Sequence, residues 1–405
     1  GRVQPPDGNH LEESGGDGGM RYTIGQLAEI IDGDRGKNYP KQDEFYPQGY
    51  CLFLNTGNVT KEGLIFEENQ FITKEKDEAL RKGKLKRGDI VYTTRGTVGN
   101  AGYYNSNVPY ENVRINSGMV ILRANVEIVD ARFLYQILKS EYYRPYFKQY
   151  CTGSAQPQLP IKNFSQIYLN VPDIKTQHRI ADIVSAYDDL IKNNQRQIKL
   201  LEEAAQRLYK EWFVDLRFPG HENTKIVDGV PEGWHRGTIG QIAEFKRGRT
   251  ITKAQVKEGN VPVIAGGLEP AYYHNVANTK APVITISASG ANAGFVRLYG
   301  VDVFASDCSF VDGLGTESLF FVYEFLKESK VSIDQLQKGS AQPHVYAKDI
   351  NAMKITIPEK EYLERFDRYV KVYFNKIKTL QGQNERLKTA RDLLLPKLMS
   401  GEAEV

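Results

Sequence analysis

Two short basic turns are the residues of this chain whose types and spacing are best suited to binding an anion. Arg35-Gly36-Lys37 and Lys246-Arg247-Gly248-Arg249 each place cations around a glycine, and each follows a copy of the segment Thr-Ile-Gly-Gln-(Leu/Ile)-Ala-Glu. Such cations can reach the phosphates or the base edges of a nucleic acid, although a charge cluster can also be only a solvated face. Because the turn occurs twice at matching places, we predict DNA contacts by Arg35, Lys37, Arg247 and Arg249.

Two glycine loops form a second candidate site. They read Arg95-Gly96-Thr97-Val98-Gly99-Asn100-Ala101-Gly102 and Ser289-Gly290-Ala291-Asn292-Ala293-Gly294, and each follows a β-rich run. Neither completes G-x-G-x-x-G, and the chain has no G-x-x-x-x-G-K-[ST], so a nucleotide site is not supported. Two interpretations remain: a structural hairpin turn, or a loop that approaches a DNA backbone or base edge through Arg95, Thr97 or Ser289.

The pentapeptide Gly-Ser-Ala-Gln-Pro occurs at 153–157 and again at 339–343. A glutamine can bond an adenine through two hydrogen bonds, but identical copies argue against the readout of two different sequences. The sequence leaves two interpretations open. Gln156 and Gln342 belong to a clamp on a phosphate or backbone, or the pentapeptide is a buried turn leading into the following strand.

The motifs of catalysis are absent from the sequence. There is no Asn-Pro-Pro-Tyr methyltransferase box, no glycine-rich loop for S-adenosylmethionine, and no Glu-x-Lys near Pro172-Asp173 for a nuclease centre. The six histidines are scattered, without an H-x-x-x-H pair for zinc. We therefore predict a non-enzymatic chain with no catalytic residue, no metal and no cofactor.

An internal duplication organises these motifs. The pentapeptide recurs 186 residues later, and at this offset Tyr187 falls on Tyr373 and Leu201 on Leu387. The upstream segment Thr23–Glu29 recurs at Thr238–Glu244, so the front part of the first copy is longer by 29 residues. A period of this length indicates two duplicated domains rather than a solenoid. A constant scaffold with a variable insert is typical of a recognition protein.

Two glycine-poor segments carry a heptad stripe of apolar residues. The first runs from Thr176 to Trp212, and the second lies at the end of the second copy, where Pro396 should disrupt its last turn. Spacings of three and four residues persist over four or more heptads in both copies and favour a paired coiled coil over two surface helices. Connectivity favours an antiparallel pair, and Asn194 and Asn384 on the stripe are expected to fix its register.

The rest of the chain alternates β-rich runs with turns, such as Asp89–Thr94 and Val283–Ser287, and short helices are expected at Ala131–Lys139 and Glu317–Glu328. The expected fold is α+β (mixed α/β), with two duplicated globular domains separated by two long antiparallel coiled-coil helices in pseudo-two-fold symmetry. The expected segments are a disordered tail or expression remnant at 1–19, domain one at 20–172, helix one at 173–216, a linker at 217–229, domain two at 230–358 and helix two at 359–402.

Composition sets broad limits on function. The 405 residues carry a net charge of +3, so any DNA binding must use local basic loops. No apolar run approaches the ~20 residues of a membrane span. The three cysteines are odd in number and form no CxxC pair, which argues against disulfides and favours a cytoplasmic location.

Several segments together resemble the specificity (S) subunits of Type I restriction-modification systems. The residues that carry this resemblance are Leu208–Gly220, Val230-Pro231-Glu232-Gly233-Trp234, Gln177–Ala181, the pentapeptide Gly153–Pro157 and Leu393–Glu402. The resemblance covers Met20 to Glu402. One departure is that the first domain lacks the Pro-x-Gly-Trp opening and begins at Tyr22-Thr23-Ile24-Gly25.

The resemblance implies two target-recognition domains, each reading one half of a bipartite asymmetric site in double-stranded DNA. It also implies that the helices are spacers that dock two methyltransferase (M) subunits, with restriction (R) subunits joining a larger complex. The methyl donor and ATP would then belong to the M and R subunits. The helix residues concerned are Ile180, Tyr187, Ile191, Leu201, Leu208, Trp212, Tyr373, Ile377, Leu387 and Leu394.

A carbohydrate-binding adhesin is the rival interpretation, because 24 tyrosines on two β-rich domains would suit sugar stacking. The absence of a secretion signal and of a disulfide framework argues against it. The bases that are recognised and the gap between half-sites do not follow from the sequence.

Overall fold

The computed structural model describes residues 19–153, 156–339 and 342–404. These residues form two compact units, one from residue 19 to Ile191 together with Glu385 onward, and the other from Lys192 to Asn384. Both combine small sheets with helices, which confirms the expected mixed α/β class. Residues 1–18 of the expected tail, and the Ser-Ala pairs at 154–155 and 340–341 of the pentapeptides, lie outside the described residues.

The elements up to the first long helix belong to the first unit. Its strands are β1 Met20–Thr23, β2 Ala28–Asp32, β3 Cys51–Leu54, β4 Val59–Thr60, β5 Gly63–Leu64, β6 Phe71–Ile72, β7 Ile90–Thr93, β8 Ala101–Tyr103, β9 Val113–Ile115, β10 Met119–Ala124 and β11 Tyr168–Val171. Its short helices are α1 Ile24–Leu27, α2 Lys74–Ala79, α3 Ala131–Lys139, α4 Arg144–Lys148 and α5 Ile161–Ser165.

Two long helices and the elements between them complete the chain. The long helices are α6 Ile174–Tyr209 and α11 Lys360–Met399, and a π-helical turn, Lys210–Val214, follows α6. The strands of the second unit are β12 Ile226–Val227, β13 Val230–Pro231, β14 His235–Thr238, β15 Lys246–Arg247, β16 Val261–Ile264, β17 Tyr272–His274, β18 Val283–Ser287, β19 Val296–Tyr299, β20 Phe304–Ala305, β21 Cys308–Asp312 and β22 Lys354–Ile357. Its short helices are α7 Ile239–Ile242, α8 Leu319–Glu328, α9 Lys330–Gln335 and α10 Ala347–Asn351.

The two units contain the same three sheets, which confirms the duplication. Sheet β2-β10-β7-β8 corresponds to β15-β21-β18-β19, sheet β6-β3-β9 to β17-β16-β20, and the pair β1-β11 to β14-β22. Each three-stranded sheet also contains one parallel pair, β3 with β9 and β16 with β20. The additional residues of the first copy include the hairpin β4-β5 and helix α2, which lie between β3 and β7.

The repeated segment Thr-Ile-Gly-Gln is a helix start. In the first unit Thr23 Oγ1 accepts from the Gln26 amide at 3.3 Å, and Gln26 Oε1 accepts from the Thr23 amide at 2.8 Å. In the second unit the Thr238 amide donates to Gln241 Oε1, also at 2.8 Å. This reciprocal capping satisfies amides that a helix leaves unbonded at its N-terminus. The segment therefore begins a short helix in each copy, α1 in the first and α7 in the second.

The apolar stripe of the long helices faces the domain cores. In the first unit Ile180, Val184 and Leu395 are buried in one cluster with the α3 residues Phe133 and Leu134. Helix α11 runs through Pro396 to Met399, so the expected disruption of the last turn was wrong. Pro396 is tolerated because a helix of this length is held by packing, and Leu395 and Leu398 on either side of it are buried.

A buried charge network joins α3 to both long helices in the first unit. Asp188 Oδ1 lies 3.0 Å from Lys139 Nζ and 2.6 Å from Arg391 Nη1, and Gln136 donates to Asp188 Oδ2 at 3.0 Å. Burial alone would raise the pKa of Asp188, but Lys139, Gln136 and Arg391 outweigh it and hold the pKa below its usual value. Arg391 lies on the heptad stripe, where most positions are apolar. It is accommodated there because its guanidinium forms an ion pair with the Asp188 carboxylate.

The second unit attaches its domain to the helices through aromatic packing and a helix cap. The Phe366 ring lies 6.1 Å from the rings of both Tyr209 and Trp212. Asp367 on α11 accepts hydrogen bonds from the amides of Phe320 and Phe321 at 3.2 and 2.9 Å, and so caps helix α8 from outside. Burial raises the pKa of Asp367 to about 7.

A polar pair interrupts the apolar stripe within the second unit. Asn194 Nδ2 donates to Asn384 Oδ1 at 2.9 Å, and both residues are buried. Together with the Trp212–Phe366 contact, this pairing shows that α6 and α11 are antiparallel here, because the partner number falls as the residue number rises. At the 186-residue offset the equivalents of Asn194 and Asn384 are Leu380 and Ile198, so the polar layer is not duplicated.

We expect the Asn194–Asn384 pair to show strong energetic coupling. Replacing Asn194 alone by Leu should lower the free energy of unfolding by about 1–3 kcal/mol, because the Asn384 amide is left buried without a partner. Replacing both residues by Leu should restore most of that stability, since the layer becomes apolar. Denaturant unfolding of the two single variants and the double variant measures the coupling, and additive effects would contradict it.

Candidate nucleic-acid interface

The glycine loop and the pentapeptide turn meet in the first unit. The Leu159 amide, just after the turn, donates to the Thr94 carbonyl at 2.9 Å, just before the glycine loop. Backbone hydrogen bonds of 2.7 and 2.9 Å between Thr152 and Gln158 close the turn. Gly153 has φ +84°, a conformation that favours glycine, and an added Cβ would lie only 3.0 Å from the Gln156 carbonyl oxygen. The repeated glycine is therefore required by the turn itself.

The second unit builds the same junction at the corresponding residues. The Val345 amide donates to the Ala288 carbonyl at 3.0 Å, and the Gly290 amide donates to the Pro343 carbonyl at 3.1 Å. Gly339 has φ +95°, matching Gly153. Gln156 and Gln342 are both exposed, so the described residues of the turn do not form the buried turn that was one of the two interpretations.

The basic turn of the first unit adjoins this junction. Asp34 shapes it by accepting hydrogen bonds from the amides of Gly36 at 2.7 Å and Arg81 at 2.8 Å. Arg35 Nη2 donates to the Ser117 carbonyl at 3.3 Å and lies 3.2 Å from Asp32 Oδ1. The next carbonyl along, that of Gly118, accepts from the amides of Thr94 and Arg95. Basic turn, glycine loop and pentapeptide turn thus form one surface, which we call the three-loop surface.

The three-loop surface recurs in the second unit. The amides of Gly248 and Arg249 donate to the carbonyls of Cys308 and Ala305 at 2.8 and 3.0 Å, which holds the basic turn beside residues 305–308. The Ala288 amide, at the start of the glycine loop, donates to the Asp307 carbonyl at 3.3 Å. The candidate residues scattered along the sequence therefore come together separately within each domain.

Most of the predicted DNA-binding side chains are accessible on these surfaces. Those exposed to solvent are Arg35, Lys37, Arg95, Thr97, Gln156, Arg247, Arg249 and Gln342. Ser289 differs, because it is half-buried and its hydroxyl donates a short hydrogen bond to the Asp307 carboxylate. This hydroxyl proton is therefore already engaged within the domain.

The basic run at 81–87 is partly structural. Arg87 donates to the carbonyls of Asn105, Val108 and Tyr110 at 2.5–3.1 Å, and its guanidinium lies 4.3 Å from the centre of the Tyr104 ring. Lys84 pairs with the buried Asp77 at 2.5 Å. These cations hold the domain together, so the run contributes less free charge than its sequence suggests.

Three further cations were not identified from the sequence. Lys61, Arg144 and Lys148 line a cavity of about 580 Å³ beside the glycine loop of the first unit. Arg144 and Lys148 are one helical turn apart on α4, and two cations at this spacing are only weak evidence of a binding site in the sequence. Lys61 comes from a loop between β4 and β5, and only the fold brings it to the cavity.

The helix residues expected to act as spacer and partner-binding positions face inward. Ile180, Ile191, Trp212 and Ile377 are buried, and the remainder, which are half-buried, are Tyr187, Leu201, Leu208, Tyr373, Leu387 and Leu394. Ile180 and Leu394 pack in the core of the first unit, and Leu208, Trp212 and Tyr373 pack in the core of the second. A different set of helix residues points outward, and its exposed apolar members include Leu190, Leu200, Tyr369, Val372 and Leu393.

Within residues 19–153, 156–339 and 342–404, no three His, Cys, Asp or Glu side chains are grouped so that they could hold a metal ion. No helix in those ranges is long and apolar enough to cross a bilayer.

Comparison with known proteins identifies the family. A family model described as the Type I restriction modification DNA specificity domain matches residues 18–203 and again 231–389. The MjaIX specificity subunit of a Type I restriction enzyme from Methanocaldococcus jannaschii is 26% identical over 361 residues, covering 81% of each chain. The HindI specificity subunit from Haemophilus influenzae is 25% identical over 458 residues, covering 91% of this chain and 98% of that protein.

A solved structure shows the same fold. The S subunit of a Type I restriction-modification system from M. genitalium superposes with a TM-score of 0.59 at 18% sequence identity, covering 98% of this chain and 99% of that one. The two matches of the family model each contain one copy of the three-loop surface.

We expect Arg247 and Arg249 to contact DNA phosphates. Replacing both by Ala should weaken DNA binding and reduce the slope of log K against log salt by about one for each lost contact. If one of them bonds a base instead, about 1–3 kcal/mol of discrimination should be lost in one half-site only. Lys246→Ala in the same turn is the matched control for a general change in charge, and unchanged affinity and slope in the double variant would assign the cluster to solvent.

Proposed function

The chain belongs to the Type I restriction-modification DNA specificity family, and from that premise we propose that it reads a bipartite, asymmetric DNA site with its two domains. The observation that carries the proposal is the three-loop surface, which each domain builds once from exposed cations, amides and glutamines. Two similar surfaces on one chain suit two separate DNA segments better than one continuous site.

The constant and the variable parts of each domain are proposed to make different contacts with DNA. The pentapeptide turn is identical in the two copies, so it suits contacts to the phosphate backbone, which is the same in any sequence. The first copy is longer, and its additional residues include helix α2, which has no counterpart in the second copy. Differences of this kind suit the reading of base edges in the major groove, where every base pair presents a distinct pattern.

We propose that the outer faces of the long helices dock the methyltransferase subunits, with restriction subunits joining through them. Five large apolar side chains on these faces are 46–64% exposed: Leu190, Leu200, Tyr369, Val372 and Leu393. These side chains supply apolar area that a docked partner chain would cover. Tyr369 packs edge-on against Trp212, which belongs to the core of the second unit.

The chain itself is proposed to be non-catalytic, with methyl transfer and ATP hydrolysis supplied by its partners. The rival interpretation, a carbohydrate-binding adhesin, is not favoured by the family to which the chain belongs.

Salt-dependent DNA retention tests the proposed function. The purified chain, alone and with a methyltransferase subunit of its own system, should retain duplex DNA with an affinity that falls steeply as salt rises. Methyl transfer from S-adenosylmethionine should require the added subunit. A rigorously purified chain that methylates DNA alone would overturn the adaptor proposal, and a pair that neither binds nor methylates DNA would overturn the recognition proposal.

The long helices are proposed to set the gap between the two half-sites. Inserting one heptad into each helix, after Gln195 in α6 and after Gly382 in α11, preserves the apolar stripe and lengthens each helix by about 10 Å. Because base pairs are spaced by ~3.4 Å, the selected site should have a gap about three base pairs longer, with both half-sites unchanged. Methylation-site mapping measures the gap.

The matched control places the same seven residues between Asn223 and Thr224, outside both long helices. That insertion should leave the gap as it was. An altered half-site at constant gap in the double-heptad variant would show that the helices do not determine the spacing.

A further inference from the structure

The cationic cavity of the first unit lies at the edge of the three-loop surface. Its wall includes Gly96 and Thr97 of the glycine loop and Gly153 and Pro157 of the pentapeptide turn. Its volume, about 580 Å³, lies within the ~300–1,000 Å³ of pockets that hold small organic groups. The cavity is therefore too large to be a packing defect, and it opens beside the glycine loop and the pentapeptide turn.

The charges around this cavity favour an anion. Lys61, Arg144 and Lys148 line it, and one carboxylate, Glu141, lies 3.3 Å from Lys61 Nζ and 3.1 Å from Arg144 Nε. The cations thus exceed the nearby carboxylate by two. Lys148 is exposed at the rim, and Arg144 is largely buried in the wall.

Arg144 is held with part of its hydrogen-bonding capacity unused. Its Nε is buried yet donates no hydrogen bond to any described residue, despite its closeness to Glu141. Its Nη1 makes one long contact, 3.5 Å, to Asn100 Oδ1. The Glu141 carboxylate thus offsets part of the Arg144 charge without accepting a well-aligned hydrogen bond from Nε, and a phosphate oxygen is the acceptor that a planar guanidinium matches best.

The second unit neutralises the corresponding positions. At the 186-residue offset Arg144 and Lys148 correspond to Lys330 and Asp334, which pair with each other at 2.9 Å. At the start of the glycine loop, Arg95 is replaced by Ser289, whose hydroxyl donates to Asp307. An anion placed at the corresponding position of the second unit would therefore lie near the carboxylates of Asp334 and Asp307.

We propose that the cavity lined by Lys61, Arg144 and Lys148 takes a phosphodiester of the DNA backbone beside the half-site read by the first domain, and that the second domain has no such clamp. This inference rests on the proposed function, because it assumes that the three-loop surface faces DNA. It adds that the first domain contributes more of the electrostatic affinity for DNA than the second domain does.

Cys151 provides a direct readout, because it is half-buried in the cavity wall. Burial raises the pKa of its thiol, so maleimide labelling is best followed at alkaline pH. Cys51 and Cys308 are fully buried, and burial raises the pKa of each to about 12, so they should remain unlabelled in the folded chain. Mass spectrometry of the full-length protein then reports the labelling of one site.

The experiment compares labelling of Cys151 in the free chain, with saturating duplex DNA, and with inorganic phosphate alone. We expect DNA to slow labelling several-fold and phosphate to have little effect, since a single free phosphate lacks the affinity of a DNA backbone. Lys148→Gln, at an exposed position, should reduce the protection and lower the salt slope of DNA binding by about one. Lys330→Gln, its charge-matched control in the second domain, should change neither.

The possible failures are distinguishable. DNA that binds the chain while leaving Cys151 labelling unchanged would overturn the phosphate clamp and leave the recognition function standing. Protection by inorganic phosphate but not by DNA would make the cavity a site for a free anion and would also overturn the clamp. A chain that binds no DNA, alone or with its methyltransferase subunit, would overturn both.

Discussion

Burial of the long helices in the domain cores is the constraint on which the rest of the structure depends. Helix α6 contributes Ile180 and Val184 to the core of the first unit, and its later residues Ala205 and Tyr209 to the core of the second. Neither domain could shed these helices without exposing large apolar side chains, and losing one buried aromatic typically costs about 3–5 kcal/mol. The helices are therefore parts of both domains and more than connectors between them.

Two buried polar contacts give specificity to this packing. Asp188 with Lys139 and Arg391 fixes α3 against both long helices in the first unit, while the Asn194–Asn384 hydrogen bond fixes the register of the pair in the second. A shift of register would bury these groups without partners, which is more costly than losing an apolar contact. With the scaffold held in this way, the loops at its surface are free to differ between copies. The three-loop surface keeps its backbone hydrogen bonds in both domains, while the charges on it do not match.

The heptad periodicity and the internal repeat of the sequence predict most of the features that could be foreseen. The heptad stripe predicted both long helices, and α3 begins and ends where its expected segment does, at Ala131 and Lys139. The heptad stripe predicts that Asn194 and Asn384 fix the register of the helices. Their hydrogen bond to each other depends on the alignment of the antiparallel pair, which the duplicated sequence does not indicate. The prediction for Pro396 was wrong because the packing of the helix outweighs the local tendency of proline to end it. For the site, the repeated turns indicated the right neighbourhood, whereas Lys61 and Arg144 carry no local signal and meet only through the fold. The engagement of Ser289 with Asp307 is likewise a tertiary contact that spacing does not reveal.

The central claim is that two domains on one chain specify two separated DNA half-sites, and mapping methylated bases across the genome of the host tests it most directly. Genomes from cells with and without an intact copy of this chain should differ in one methylated motif, made of two unlike half-sites with a gap of fixed length. Loss of a single continuous motif, or no change in any motif, would contradict the account.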